Sequence, residues 1–300
     1  MPGKFHLTYV PNGSIILSMI KNAQMFPSIG HPVYASGEMN AFRWERANRV
    51  STLVREGTGG TLVIVPGAMA DAEDWLNVAS AMDTRLSVAV VNRVGRAPSD
   101  AMPRGSTVQA EVQDVRDTLA QLQPPFHLVG WSYGGLLVLE ASTGRADISS
   151  IVLYEPVCAP FAVDAIQLIW QAIDRKDLDH AVELVITKVG RAPQQKVETL
   201  RDGPVWSKLK ALVVPAAIEL SAINSHRPDF ASFATIPAPV AVVIGERNQN
   251  LEPYGTTANR VVENLPEAKT VLLVGQGHLA HLEQPTQLAK ILLKASHIPD

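Results

Sequence analysis

The residues best placed by type and spacing to do chemistry surround Ser132. They lie in the run Phe126-His127-Leu128-Val129-Gly130-Trp131-Ser132-Tyr133-Gly134-Gly135-Leu136-Leu137-Val138-Leu139-Glu140. Gly130-Trp131-Ser132-Tyr133-Gly134 has the G-x-S-x-G spacing of a nucleophile elbow, in which a strand turns abruptly into a helix and leaves the serine in a strained backbone conformation. Glycine suits the positions two residues either side, because a Cβ there would meet the neighbouring strand and helix. The hydroxyl would stand clear at the C-terminal edge of a sheet, over a helix N-terminus that favours negative charge. The apolar runs before and after the motif supply the strand and helix that this geometry requires. The chemistry to expect is acyl transfer.

A serine hydroxyl is a poor nucleophile at neutral pH, so it needs a general base, and the base needs a third group to orient it. His278, in Gly275-Gln276-Gly277-His278-Leu279, follows the last predicted strand, and a parallel sheet would bring it to the same edge as Ser132. His281 lies one helical turn later and is read as structural. The His-x-x-His spacing has no third ligand nearby in sequence, so no metal is expected. The order serine, acid, histidine leaves two loops to supply the acid. Glu155, at a strand end before Pro156, is favoured because its strand is expected beside that of Ser132. Glu246 is the second choice, and an acid elsewhere or a purely structural Glu155 remain alternatives. Asn248 stands where an aspartate would be expected in a Gly-Glu-x-Asp arrangement, and an amide carries no charge to stabilise an imidazolium.

Acyl transfer also needs donors for the oxyanion. The backbone N–H of Tyr133, directly after the nucleophile, is one candidate. The N–H of Ala68, in Pro66-Gly67-Ala68-Met69, is the other, with Gly67 permitting close backbone approach. Gly67, Met69, Trp131, Trp170 and Trp206 are candidate pocket residues, with core packing the alternative for the Met and Trp side chains.

The elements that must position these residues can be read from periodicity. Thr61–Val65, Leu86–Val91, Ile148–Tyr154, Val240–Ile244 and Thr270–Val274 read as strands, several apolar throughout, as in a parallel sheet covered on both faces. Strands are also expected at 41–45 and 50–55. Val108, Val112, Val115, Leu119 and Leu122 have helical spacing over 108–123, and Pro124-Pro125 ends that helix. Residues 157–237 contain no clear strand. Helices are expected there at 162–174, 177–189, 193–200, 204–213 and 215–223, separated by prolines. The class is α/β: a core of 41–156 and 238–300, a helical cap insertion at 157–237, and an N-terminal extension at 1–40 with one short element at 14–20.

Composition narrows the partners. The 300 residues are 46% hydrophobic and 18% charged with a formal net charge of -3, which leaves no basic footprint for nucleic acid. Cys158 is the single cysteine, so no intramolecular disulfide can form, and it reads as a small buried apolar residue. No run approaches the roughly 18 apolar residues of a membrane span. The apolar stretch 14–20 is a poor core for an export signal, so a cytoplasmic location is expected.

Taken together, the elbow at Gly130–Gly135, the strand and loop Val63-Ile64-Val65-Pro66-Gly67, and Gly277-His278-Leu279-Ala280-His281-Leu282-Glu283-Gln284-Pro285 resemble the α/β-hydrolase fold superfamily over residues 40–296. Leu153-Tyr154-Glu155-Pro156, with Gly245-Glu246-Arg247, resembles a bacterial branch that lacks the usual acid after the later strand. The resemblance implies a mostly parallel central sheet flanked by helices, with Ser132 as nucleophile and His278 as base. Two departures stand out: Pro66-Gly67 replaces the usual His-Gly, and Asn248 replaces the usual Asp. The expected function is a cofactor-free serine hydrolase acting on a small, hydrophobic carboxylic ester or lactone. C–C bond hydrolysis, perhydrolysis and acyl transfer share the framework, and a ligand-binding protein with an incomplete triad is the non-enzymatic alternative. Epoxide and haloalkane hydrolysis are disfavoured, since those members use an aspartate at the Ser132 position. The oligomeric state is left open, a homodimer among the options.

Overall fold

The computed structural model describes residues 41–82, 85–158 and 160–298. Eight strands form one sheet: β1 (Arg43–Ala47), β2 (Val50–Arg55), β3 (Thr61–Val65), β4 (Ser87–Asn92), β5 (Phe126–Trp131), β6 (Ile148–Tyr154), β7 (Val240–Gly245) and β8 (Lys269–Leu273). Their order is β1-β2-β4-β3-β5-β6-β7-β8. β1 and β2 run antiparallel to their neighbours, and the pairs from β4 to β8 are parallel. The all-apolar strands follow from burial on both faces. Val63, Val65 and Leu128 point into one core, while Leu62, Ile64 and Val129 point into the other.

Helices cover both faces. In chain order they are α1 (Leu76–Ser80), α2 (Val108–Leu119), α3 (Tyr133–Ser142), α4 (Val163–Asp174), α5 (Leu178–Leu184), α6 (Gln194–Arg201), α7 (Val205–Ser225), α8 (Phe230–Phe233), α9 (Tyr254–Asn264), α10 (Ala280–Glu283) and α11 (Pro285–Ala295). Thr107 caps α2 by accepting the Ala110 N–H at 3.2 Å. The chain leaves β3 for β4 on one side and later returns to β5 on the other. The strand order thus reverses beside β3, and in open α/β sheets ligands bind at such a switch point beyond the strand C-termini. The loop after β3 and the turn after β5 meet there.

The sequence reading differs from the structure mainly between β6 and β7. Pro215 is expected to divide 204–213 from 215–223, yet α7 runs unbroken through it. A proline inside a helix costs about 3 kcal/mol, so tertiary contacts must offset it. The Pro215 ring packs directly on Gly95, where an added Cβ would lie 2.8 Å from Pro215 Cγ. One turn later, Glu219 is held by Arg93 and Arg96. Residues 177–189 form α5 followed by a π-helical turn at Val185–Val189 rather than one regular helix. The first strand begins two residues later than expected, and the 108–123 helix ends at Leu119. The short element expected at 14–20 lies outside the described residues. Among the described residues no helix is long and apolar enough to cross a membrane.

Candidate active site

Ser132 joins β5 to α3 with φ 54° and ψ -124°. A side-chain-bearing residue in such a region costs about 1–3 kcal/mol and persists only where its surroundings hold it. Two glycines allow the turn. A Cβ at Gly134 would lie 2.0 Å from Val65 O of β3, and one at Gly130 would lie 2.6 Å from Gly135 Cα. The Ser132 carbonyl accepts from Gly135 N–H at 2.9 Å and Val157 N–H at 3.0 Å, while its own N–H donates to Tyr154 O at 3.0 Å. The turn is therefore fixed from three directions.

Strand register brings the partners in. Trp131 pairs with Tyr154, so Ser132 and Glu155 emerge at the same edge, from adjacent strands. Gly245 pairs with Leu273, and the loop five residues beyond carries His278 back to that edge. The loop is pinned: Trp131 Nε1–H donates to His278 O at 2.9 Å, Tyr154 Oη–H donates to Gly277 O, and Tyr154 Oη accepts Ala280 N–H at 3.2 Å. His278 Nδ1 lies 2.6 Å from Glu155 Oε2, with the side chains 4% and 0% exposed. Burial lowers the His278 pKa, and Glu155 opposes that shift through its hydrogen bond and charge. The ring is thus neutral at neutral pH. A neutral ring donating from Nδ1 keeps its Nε2 lone pair available as a base.

Glu155 is itself at φ 42°, the second strained residue at this edge. Its Oε1 accepts Gly245 N–H at 2.9 Å, and the Asn248 amide donates to Oε1 at 3.1 Å and Oε2 at 2.9 Å. Asn248 is therefore not an empty position in an acid's place: its amide serves the carboxylate that occupies the neighbouring strand end. Glu246, the second-choice acid, is exposed and accepts Gly275 N–H at 2.7 Å, away from the histidine.

Ser132, Tyr133, Ala68, Met69, Trp131 and His278 line one cavity of about 1080 Å³, its mouth included. Its remaining walls are largely aliphatic and come from the helices between β6 and β7, among them Val185, Ile186, Leu209 and Leu220. Gly67 does not line it but abuts the nucleophile, since a Cβ there would lie 2.6 Å from Ser132 Cβ. Met69 holds φ 56° in the same loop. Trp170 and Trp206, expected as wall residues, are corrected: neither lines the cavity. Trp170 Nε1–H donates to Ser221 Oγ at 3.0 Å under the Arg104 guanidinium, and Trp206 Nε1–H donates to Asp179 at 2.6 Å beside Arg201. Their indoles serve helix-to-helix packing and surface polar contacts, a use that amphipathic spacing does not distinguish from a pocket wall.

Three wall residues escape the sequence reading. The Tyr254 ring stacks on His278 with centroids 3.5 Å apart and planes at 7°. Asp74 lines the cavity, and burial pushes its carboxyl up to about 6 against the pull of Lys208. Phe161 completes the wall beside Tyr254, ring centroids 5.9 Å apart. No local motif marks any of them, because their role depends on where three separate segments land: the turn Glu73–Trp75, the chain at Phe161 and α9. His281 stacks on Trp75 with centroids 4.8 Å apart, and burial takes its pKa well below the usual imidazole value. Cys158 is buried, which pushes its thiol up and away from nucleophile chemistry. Among the described residues no group of three or more His, Cys, Asp or Glu side chains could hold a metal ion.

A family model described as the alpha/beta hydrolase family matches residues 62–291. No curated protein sequence matches the chain. Solved structures that share the fold include an alpha/beta hydrolase from Sphaerobacter thermophilus, with TM-score 0.70 and 22% identity, covering 84% of this chain and 99% of that one. A bromoperoxidase from Bacillus anthracis has TM-score 0.65 and 17% identity, covering 85% and 99%. A thermophilic esterase from Thermogutta terrifontis has TM-score 0.62 and 20% identity, covering 82% and 92%.

Proposed function

Because the chain belongs to the alpha/beta hydrolase family, we propose that it is a cofactor-free serine hydrolase that cleaves a carboxylic ester or lactone with an apolar acyl part. The observation that carries this reading is the 2.6 Å contact between His278 Nδ1 and Glu155, in a cavity that also holds a serine at φ 54°. A strained serine beside a neutral, carboxylate-oriented imidazole is the arrangement that nucleophilic acyl transfer needs.

In the first half-reaction Ser132 Oγ attacks the carbonyl carbon while His278 Nε2 takes the hydroxyl proton. The carbonyl π electrons move onto oxygen, and the backbone N–H groups of Ala68 and Tyr133 receive that oxyanion. Collapse of the tetrahedral intermediate breaks the bond to the leaving alkoxy oxygen, which takes the proton from Nε2 and departs as the alcohol. His278 then removes a proton from water, the hydroxyl attacks the acyl-serine, and the carboxylic acid leaves as Ser132 regains its proton. Glu155 holds the ring in the Nδ1–H tautomer and balances its charge while it is protonated. Aliphatic walls from the helices between β6 and β7 favour an apolar acyl group over a charged one.

A fluorophosphonate probe tests the nucleophile. It is expected to label the wild type at Ser132 and to leave Ser132→Ala unlabelled. Absence of labelling in the folded wild type would remove the hydrolase reading. A panel of esters, lactones and thioesters of increasing acyl length, with Ser132→Ala as control, then ranks the substrate classes.

A further inference from the structure

The hydrolase reading uses the Ala68 N–H as an oxyanion donor, but it leaves open what aims that N–H. The loop after β3 has no helix or strand of its own to fix its peptide planes. Arg93, in the loop after β4, is 3% exposed and reaches across to it. Its Nε–H donates to Pro66 O at 2.9 Å and an Nη2–H to Gly67 O at 2.7 Å. The Gly67 carbonyl and the Ala68 N–H belong to one planar peptide and point in opposite directions. Fixing the carbonyl on Arg93 therefore turns the N–H away from Arg93. Gly67 abuts Ser132, and Ala68 lines the same cavity as Ser132, so the cavity holding the nucleophile is where a donor turned from Arg93 would serve. Among the described residues the Ala68 N–H has no acceptor, as a donor reserved for substrate would not.

The guanidinium is held from behind by two other elements. Its Nη1 donates to Glu111 of α2 at 2.6 Å and to Glu219 of α7 at 2.9 Å, and Arg96 also pairs with Glu219. Glu111 in turn accepts the Tyr133 hydroxyl at 2.8 Å, and the Arg93 guanidinium lies 5.1 Å from the Tyr133 ring centroid. Both oxyanion residues thus rest on one buried ion cluster. We infer that Arg93 is the positioning residue of the oxyanion hole, and that Glu219 makes α7, a wall of the substrate cavity, part of its support. This inference rests on the serine hydrolase reading above.

The alternative is that Arg93 merely balances buried charge. Two variants separate the roles. Arg93→Lys keeps a cation between Glu111 and Glu219 but lacks the planar fork that spans two adjacent carbonyls. The double variant Arg93→Met, Glu111→Gln removes one cation and one anion together and leaves the Arg96–Glu219 pair intact, which avoids stranding an unpaired buried charge. The readout is kcat/KM on an aryl ester with an apolar acyl chain and on the matching thionoester, whose sulfur accepts hydrogen bonds poorly. With the Ala68 donor misaimed, the oxoester rate is expected to fall about 100-fold, the scale of losing one oxyanion donor. The thionoester should change by no more than about threefold, since it gains little from that donor. The preference for oxygen over sulfur should therefore collapse in both variants while thermal unfolding stays cooperative and fluorophosphonate still labels Ser132. A general packing defect would lower both substrates together. An unchanged oxygen-to-sulfur ratio in folded Arg93→Lys would overturn the positioning role of Arg93. A wild type that neither labels nor turns over esters would instead overturn the hydrolase reading beneath it.

Discussion

The C-terminal ends of β6 and β7 lie side by side and carry opposite members of one interaction. Directly after β6 comes Glu155, fully buried and at φ 42°, with its carboxylate on His278. β7 ends at Gly245, followed by a short turn in which Asn248, 5% exposed, points its amide at the same carboxylate. One strand end supplies the charge and the other supplies neutral donors to it. The difference teaches that an amide in an acid's place can belong to a complete site. A buried carboxylate needs partners for both oxygens, and here Gly245 N–H, the Asn248 amide and the histidine provide them. It also explains why Gly245 is glycine: a Cβ would lie 2.9 Å from Glu155 Oε1 and 2.7 Å from Gln276 O.

The strongest way to break the comparison is to neutralise the β6 side. Glu155→Gln keeps the volume but removes the charge that balances the imidazolium, and it can favour the wrong tautomer. A fall in kcat of about 10⁴ is expected by analogy with amide replacement of a triad acid, measured on the best ester from the panel. Adding Asn248→Asp to Glu155→Gln moves the carboxylate to the β7 side. Recovery of about tenfold over the single variant, on the scale of one restored charge contact, would make the two strand ends interchangeable. No recovery would mean that only the strained φ of Glu155 aims a carboxylate at the ring.

Part of this site is legible in the sequence. The Gly130–Gly134 spacing, the apolar strand before Ser132 and the position of His278 after the last strand are local patterns, and strand register converts them into proximity. Glu155 is favoured over Glu246 on the expectation that its strand lies beside β5, and β6 does lie there. The role of Asn248 was not legible, since an amide as donor looks in sequence like an acid that is missing. Arg93 sits in a polar, turn-rich loop, and its partners lie 18 and 126 residues further on. Buried ion clusters joining three elements leave no periodic trace. Pro215 misleads for the converse reason: its local cost is visible, whereas the contacts with Gly95 and through Glu219 that offset it are not.

The next effect in size comes from charging the β7 side alone. Two carboxylates about 3 Å apart do not both ionise readily, so the Asn248→Asp variant should hold one proton between them at low pH and lose it as pH rises. In the wild type, His278 must be neutral to accept the serine proton. Its pKa is held below the usual imidazole value by burial, so kcat/KM should fall only as pH drops below about 6.5 and stay flat above. In Asn248→Asp the added negative charge raises the His278 pKa, so the acid limb should move to higher pH. An acid midpoint displaced to higher pH, with the plateau above it kept, checks the prediction. Asn248→Ala should do less. It removes donors without adding charge, and a loss of about 1.5–3 kcal/mol in stability, the range for a hydrogen bond to a charged group, should appear as a lower Tm.

The smallest expected effect sharpens the comparison most, because it falls on the other carboxylate at the end of β7. Glu246 lies two residues before Asn248, the amide partner of Glu155, in the same turn, yet its side chain faces outward and caps Gly275 N–H at 2.7 Å. An exposed hydrogen bond of this kind contributes little, since water replaces the acceptor. Glu246→Gln retains a carbonyl oxygen that can still accept from Gly275. Turnover should therefore change by less than about twofold, within the roughly ±0.5 kcal/mol typical of surface substitutions, and the pH midpoint should stay where His278 sets it. A loss in Glu246→Gln comparable to that in Glu155→Gln would mean that the histidine is oriented from the β7 side after all, and that the 2.6 Å contact with Glu155 is structural rather than functional.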